Sequence, residues 1–176
     1  MKATGIVRRI DDLGRVVIPK EIRRTMRIRE GDPLEIFTSS GGEVVFKKYS
    51  PIGELGGFAA QYAESLAKGT DLSVVICDRD HCVAAAGIPK KEVMERRVTA
   101  GLEDIMESRR SITEAGRGQA LEGIERDICV AMPIICAGDV CGAVVLLENG
   151  ETRKAAESDI KLAQVAATFL GKQMED

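Results

Sequence analysis

The sequence predicts two small domains. The first, residues 1–50, is mostly β with one short helix and is built to interleave with a second copy of itself; the second, residues 71–176, is α+β, with a linker and connecting helix at 51–70 between them. Three observations carry this. At 176 residues the chain is long for one ordinary domain and sufficient for two. Charge is divided unevenly along it: residues 1–29 hold nine Lys or Arg against three acidic residues, a net of +6, so the remainder carries −9 within a whole-chain charge of −3. The hydrophobic pattern also changes, from short alternating runs before Ser50-Pro51-Ile52-Gly53 to a mixture of helical and strand-like periods after it.

Composition sets limits on function. Apolar residues make up 44% of the chain but aromatics only 3%, with no Trp, so the cores must be aliphatic. Stacking platforms for single-stranded nucleic acid are hard to assemble from such a sequence. The basic opening segment joined to an acidic remainder fits a phosphate-binding module with a partner domain, because affinity for a polyanion depends on the local field.

In the first domain, Thr4 to Ile10 alternates, Asp11 to Gly14 supplies turn residues and Arg15 to Ile18 is strand-like again, which predicts a hairpin. Pro19 opens a helix, having no N–H to lose at the first turn. Ile22 and Met26, four apart, predict an inward face, and Arg23 and Arg27 with Arg24 beside them predict a cationic face opposite. Beyond Gly31-Asp32-Pro33, the runs Leu34 to Thr38 and Glu43 to Lys48, separated by Ser39-Ser40-Gly41-Gly42, form a second hairpin. So small a segment, with mostly Val, Ile and Leu to bury and no disulfide or metal, cannot be stable alone. A dimer with interleaved strands resolves this and doubles the basic surface about a two-fold axis.

In the second domain, Leu55, Phe58, Ala59, Tyr62 and Leu66 follow helical spacing up to Gly69-Thr70. Strands are expected at Leu72 to Cys77 and Cys82 to Ala86, one or two helices within Lys90 to Arg110, and a last helix from about Glu157 to Met174. The apolar stretch Ile128 to Leu147 has the length of a membrane span. Pro133 and Ala137-Gly138-Asp139 divide it, so it reads as two buried strands of a hairpin. The first residues hold no apolar run of the kind a secretory signal needs, which makes the cytoplasm the expected location.

Catalytic and metal chemistry find little support. The five cysteines, Cys77, Cys82, Cys129, Cys136 and Cys141, lie in apolar surroundings and read as reduced core thiols. His81 and Cys82 are neighbours on a strand and point to opposite faces, so they make no dyad. The Cys77/Cys82 and Cys136/Cys141 spacings flank hairpin turns and are not zinc knuckles, and Gly171-Lys172-Gln173 is no P-loop. The expectation is a protein that is not an enzyme, with no metal and no cofactor.

The run from Lys2 to Arg24, with Asp-x-Leu-Gly-Arg-Val-Val-Ile-Pro at its centre, resembles the swapped-hairpin DNA-binding domain of the AbrB transition-state regulators, and the likeness extends to about Tyr49. It implies DNA contact by Arg8, Arg15, Arg23 and Arg24. Lys2, Arg9 and Arg27 are further candidates for phosphate contact, with a merely solvated role as the alternative for each. Residues 71–176 resemble a GAF-type sensor domain, carried by the element order and Val74-Val75-Ile76-Cys77-Asp78-Arg79-Asp80. The two together are similar to the stage V sporulation regulators of endospore-forming bacteria.

What the resemblance implies is a transcription regulator, activator or repressor, whose partners are double-stranded promoter DNA and itself. Dimers would form through the first domain. The helices at 54–68 and 157–174, through Leu55, Tyr62, Leu66, Ile160, Ala163, Val165, Ala167 and Leu170, could pair between chains and give tetramers. Sensing of an unidentified small-molecule effector, in a pocket within Lys90 to Glu125, and pure oligomerisation are both open for the second domain. The rival readings are a Cys-dependent redox enzyme of GAF type and a swapped-hairpin antitoxin.

Overall fold

The computed structural model describes residues 4–150 and 154–175. The chain forms two compact units, Met1–Tyr49 and Ser50–Asp176.

In the first unit, residues 4–18 are extended around one tight turn. The Asp11 N–H donates to the Arg15 carbonyl at 2.9 Å and the Gly14 N–H to the Asp11 carbonyl at 3.1 Å. Gly14 sits at φ +75°, the left-handed conformation this turn requires. Beyond the turn the two arms do not pair: the strands expected at Thr4–Ile10 and Arg15–Ile18 form no ladder within the chain. Their apolar side chains are uncovered as well: Val7, Ile10, Leu13 and Val17 are 70–86% accessible, with nothing among the described residues over the face they would line.

Helix α1, Lys20–Thr25, buries none of its residues. Ile22 is half-buried but Met26 is 60% exposed, so the inward face expected of this helix is not formed within one chain. Strands β1, Leu34–Thr38, and β2, Val44–Lys48, pair antiparallel from Leu34 with Lys48 to Thr38 with Val44. The Ser39 N–H donates to the Glu43 carbonyl at 3.0 Å across their turn.

The second unit is an antiparallel four-stranded sheet of order β4-β3-β6-β5, from β3 (Ser73–Asp78), β4 (Cys82–Ala86), β5 (Ile128–Cys136) and β6 (Asp139–Leu147). Helices α2 (Pro51–Glu54), α3 (Gly56–Thr70) and α6 (Glu157–Gln173) cover one face. There Ile52, Ala59, Ala63, Leu66, Ala163 and Leu170 pack with Val74, Ile76, Val144 and Leu146. Helix α5 (Ala100–Ser108) covers the other with its adjoining loops, packing Leu102 and Met106 on Val75, Val145 and Ala131; α4 (Lys90–Val93) adds Val93. Alternate residues of each strand enter opposite cores, as the period of two demands.

Residues 51–70, expected as a linker and connecting helix, are part of this second unit. Ile52, Ala59 and Ala63 are fully buried against its sheet, so the apolar spacing of that helix reflects core packing. Small residues permit the close approach: a Cβ on Gly171 of α6 would collide with the Ile135 carbonyl of β5. Asp159 is buried and accepts the Ala156 N–H at 2.8 Å, closing the first turn of α6.

Candidate nucleic-acid interface

Pro19 is buried and ends the extended arm, and α1 then displays Arg23 and Arg24 to solvent one residue apart. Arg23 is not loose: its Nε donates to the Ile18 carbonyl at 3.2 Å, which holds the side chain along the preceding backbone and leaves the terminal guanidinium nitrogens to the exterior. Arg24 is exposed beside it. Helix α1 closes when the Ile28 N–H reaches the Arg23 carbonyl at 2.7 Å, with Arg27 left-handed at φ 51°. Arg27 therefore lies beyond the helix and is half-buried. It does not extend the cationic face that its four-residue spacing from Arg23 suggested.

At the first turn the Asp11 carboxylate accepts the N–H groups of Leu13 at 3.0 Å and Arg15 at 2.8 Å, and Arg15 Nε donates to its other oxygen at 2.8 Å. The Arg15 N–H, then the guanidinium, hold the Asp11 carboxyl below its ordinary value of 3.8. Arg15 stays 70% exposed despite this tie, so its remaining donors face outward from the turn. Arg8 and Arg9 are exposed on the extended arm before the turn. Lys2 lies outside the described residues.

Sequence reasoning missed one connection here. Asp32, read only as a turn residue, is 2% exposed at its side chain; its carboxylate accepts the Arg29 N–H at 2.8 Å and faces Lys48 Nζ at 3.5 Å. Lys48 also donates to the Arg27 carbonyl at 2.8 Å. No local pattern could have paired residues sixteen apart before the register of β1 and β2 was known. Lys47 lies 4.7 Å over the Phe37 ring, a second cation held on the same hairpin.

The thiols of the second unit are ill suited to nucleophilic chemistry. Cys77, Cys82, Cys129 and Cys136 are buried. Contact with Cys82 and then burial push the Cys77 thiol well up, and burial with neighbouring Cys136 pushes Cys141 up to about 12. Among the described residues no three of His, Cys, Asp and Glu are grouped to hold a metal. No helix among them is long and apolar enough to cross a membrane. An open depression of about 430 Å³ is lined by Thr99, Gly101, Arg117, Gly118, Gln119 and Asp127. On the outer side of α3 and α6, Phe58, Tyr62 and Phe169 pack ring to ring, Tyr62 and Phe169 stacked at 5.7 Å. Of the helix residues expected to pair between chains, Leu66, Ala163, Ala167 and Leu170 are core, whereas Val165 is exposed, together with the unforeseen Phe58, Leu162 and Phe169.

Comparison with known proteins agrees with this division. Residues 54–175 match the family described as stage V sporulation protein T C-terminal, transcription factor, and residues 7–53 match the family of the bacterial antitoxin MazE. The chain is 52% identical to stage V sporulation protein T of Bacillus subtilis over 99% of both chains. It is 57% identical to the transition state regulatory protein AbrB of the same organism over 51 residues, 29% of this chain and 52% of that one. The GAF domain of an Acinetobacter phosphoenolpyruvate-protein phosphotransferase superposes with TM-score 0.58 at 14% identity, covering 68% of this chain and 81% of that one. A free methionine-R-sulfoxide reductase from Thermoplasma acidophilum superposes with TM-score 0.52 at 11% identity, covering 70% and 94%. At such identities these two likenesses bear on fold alone, and they give the second unit a GAF-like fold.

Proposed function

The chain belongs to the stage V sporulation protein T family of transcription factors, and from that premise we propose that it regulates sporulation genes by binding promoter DNA with the arginines of an interleaved dimer. Arg8, Arg15, Arg23 and Arg24 make the principal contacts, each presented twice, and Lys2 and Arg9 add phosphate contacts. Planar guanidinium suits this task, since it bridges phosphate oxygens or reads guanine in the major groove. The observation that carries the reading is that the first unit exposes its arginines and its apolar side chains on the same short segments, with Val7, Ile10, Leu13 and Val17 uncovered in a single chain. A second copy supplies the missing ladder and cover for those residues, and brings the two sets of arginines into one array.

The second unit joins such dimers. The half-exposed Phe58, Tyr62 and Phe169 with Leu162 and Val165 form an apolar face continuous over α3 and α6, suited to the same face of another copy and so to a tetramer. Effector sensing is a second reading, favoured by the depression beside the start of α5, whose Arg117 and Asp127 give it groups of both signs. Either activation or repression is compatible with this architecture, and the cytoplasm is where it would act.

The test is a mobility shift of a random duplex library with the intact protein and with Arg23→Ala. The substitution is expected to weaken binding across the library. Equal binding by both proteins would refute the assignment of the α1 face.

A further inference from the structure

We propose that Asp32 and Lys48 act together as positioning residues for DNA binding, a clasp that fixes the direction in which α1 holds Arg23 and Arg24; this rests on the DNA-binding reading above. The chain of contacts is continuous. Helix α1 ends on the hydrogen bond from the Ile28 N–H to the Arg23 carbonyl, which forces Arg27 into the left-handed region. That conformation is disfavoured for an arginine and must be held by its surroundings. The hold is Lys48, whose ammonium takes the Arg27 carbonyl at 2.8 Å from the end of β2.

Lys48 is in turn fixed by Asp32. The Asp32 carboxylate is nearly inaccessible and receives both the Arg29 N–H and the Lys48 ammonium, so it ties the loop after α1 to the strand opposite. Lys48 pairs in register with Leu34, two residues beyond Asp32, which places the clasp at the base of the β1–β2 hairpin. Arg23 is thereby bounded on both sides: its Nε is tied to the Ile18 carbonyl before the helix, and its own carbonyl closes the turn that the clasp secures after it. Rigid support of this kind is what keeps a contacting side chain within reach of its productive geometry.

The clasp runs against an ordinary electrostatic expectation. Asp32 is an acidic residue in a module that binds a polyanion, so its neutralisation should tighten binding if only the field mattered. Under the clasp, Asp32→Asn weakens it. Lys48→Met also weakens it, and the two changes are not additive, because either one opens the same link.

The experiment measures duplex affinity of the full chain at several salt concentrations for wild type, Asp32→Asn, Lys48→Met, the double variant and Arg23→Ala, with thermal unfolding and sedimentation alongside. The double variant removes both charges of the Asp32–Lys48 pair together, so neither is left facing the vacated position of the other. It is expected to unfold and sediment as wild type while binding about tenfold more weakly, the size of losing one well-placed arginine contact. Asp32→Glu is expected to restore part of the affinity lost in Asp32→Asn. If Asp32→Asn or the double variant binds as tightly as wild type while Arg23→Ala is weakened, the clasp is wrong and the arginine reading stands. If Lys48→Met weakens binding and lowers the salt slope by about one contact while Asp32→Asn tightens it, Lys48 is itself a phosphate ligand and the clasp is again wrong. If Arg23→Ala binds as wild type, the arginine reading fails and the clasp falls with it.

Discussion

The two units use the same aliphatic alphabet to opposite ends. In Ser50–Asp176 the large side chains Ile76, Leu102, Leu146 and Leu170 are fully buried between a sheet and its helices. In Met1–Tyr49 comparable side chains stand in the open, Val7 at 86% and Ile10 at 72%, around a two-stranded sheet and a helix that buries nothing. One unit completes its core by itself. The other leaves its apolar side chains uncovered, and its arginines are mounted on the same segments. Under the proposed interleaved dimer, assembly and DNA recognition would be a single event in the first unit, whereas in the second any assembly would add to a fold already closed.

The contrast can be broken or sharpened by substitution. The largest effect is expected in the second core: Leu146→Ala should cost about 2–5 kcal/mol of stability at every protein concentration, as read by denaturant unfolding. Leu13→Asn, in the first unit, should leave the unfolding of the second unit unchanged. Its effect should appear as a loss of DNA binding that higher protein concentration partly restores, because it acts on association. A concentration-independent loss would deny the dimer its role. Phe169→Ala is expected to halve the assembly mass by sedimentation with DNA binding of the remaining dimers intact; an unchanged mass would remove the α3/α6 face as a contact.

The smallest effect concerns acid. The Asp11 carboxyl is held low by the Arg15 N–H and guanidinium, so in the folded chain it titrates below 3.8. Its contribution to the turn is then complete above the ordinary Asp range and is lost as pH falls through the lowered value. A carboxyl titration followed by NMR should place Asp11 below 3.8, and Arg15→Met should return it toward that value.

Much of this contrast was legible beforehand. The string from Leu13 to Pro19 with its flanking arginines, and the surplus of cations before Glu30, marked out the first module; the interruptions at Pro133 and Gly138 turned an apparent membrane span into β5 and β6. What remained hidden depends on partners distant in sequence. The arms around Asp11 have strand-like alternation, but alternation reports the period of a strand and not its pairing, and the arms form no ladder with each other. Arg27 kept helical spacing from Arg23 while α1 had already ended at Thr25, because the left-handed closure is decided by hydrogen bonds that periodicity does not report. Helix α3 read as a connector because alanines carry little hydrophobic signal, although Ala59 and Ala63 are its most buried residues. Phe58 and Phe169 meet only once α3 and α6 lie side by side on the sheet.

The central claim, that the arginines of a dimer engage duplex DNA chiefly through phosphates, is tested most directly by the salt dependence of affinity. With the four principal arginines presented twice per dimer and most of those eight engaged, log K should fall against log salt with a slope of about −5 to −7 at roughly −0.9 per contact, and more steeply where the flanking cations add contacts. A slope near −1 to −2 would contradict it, because no more than one or two of those arginines could then be touching the backbone.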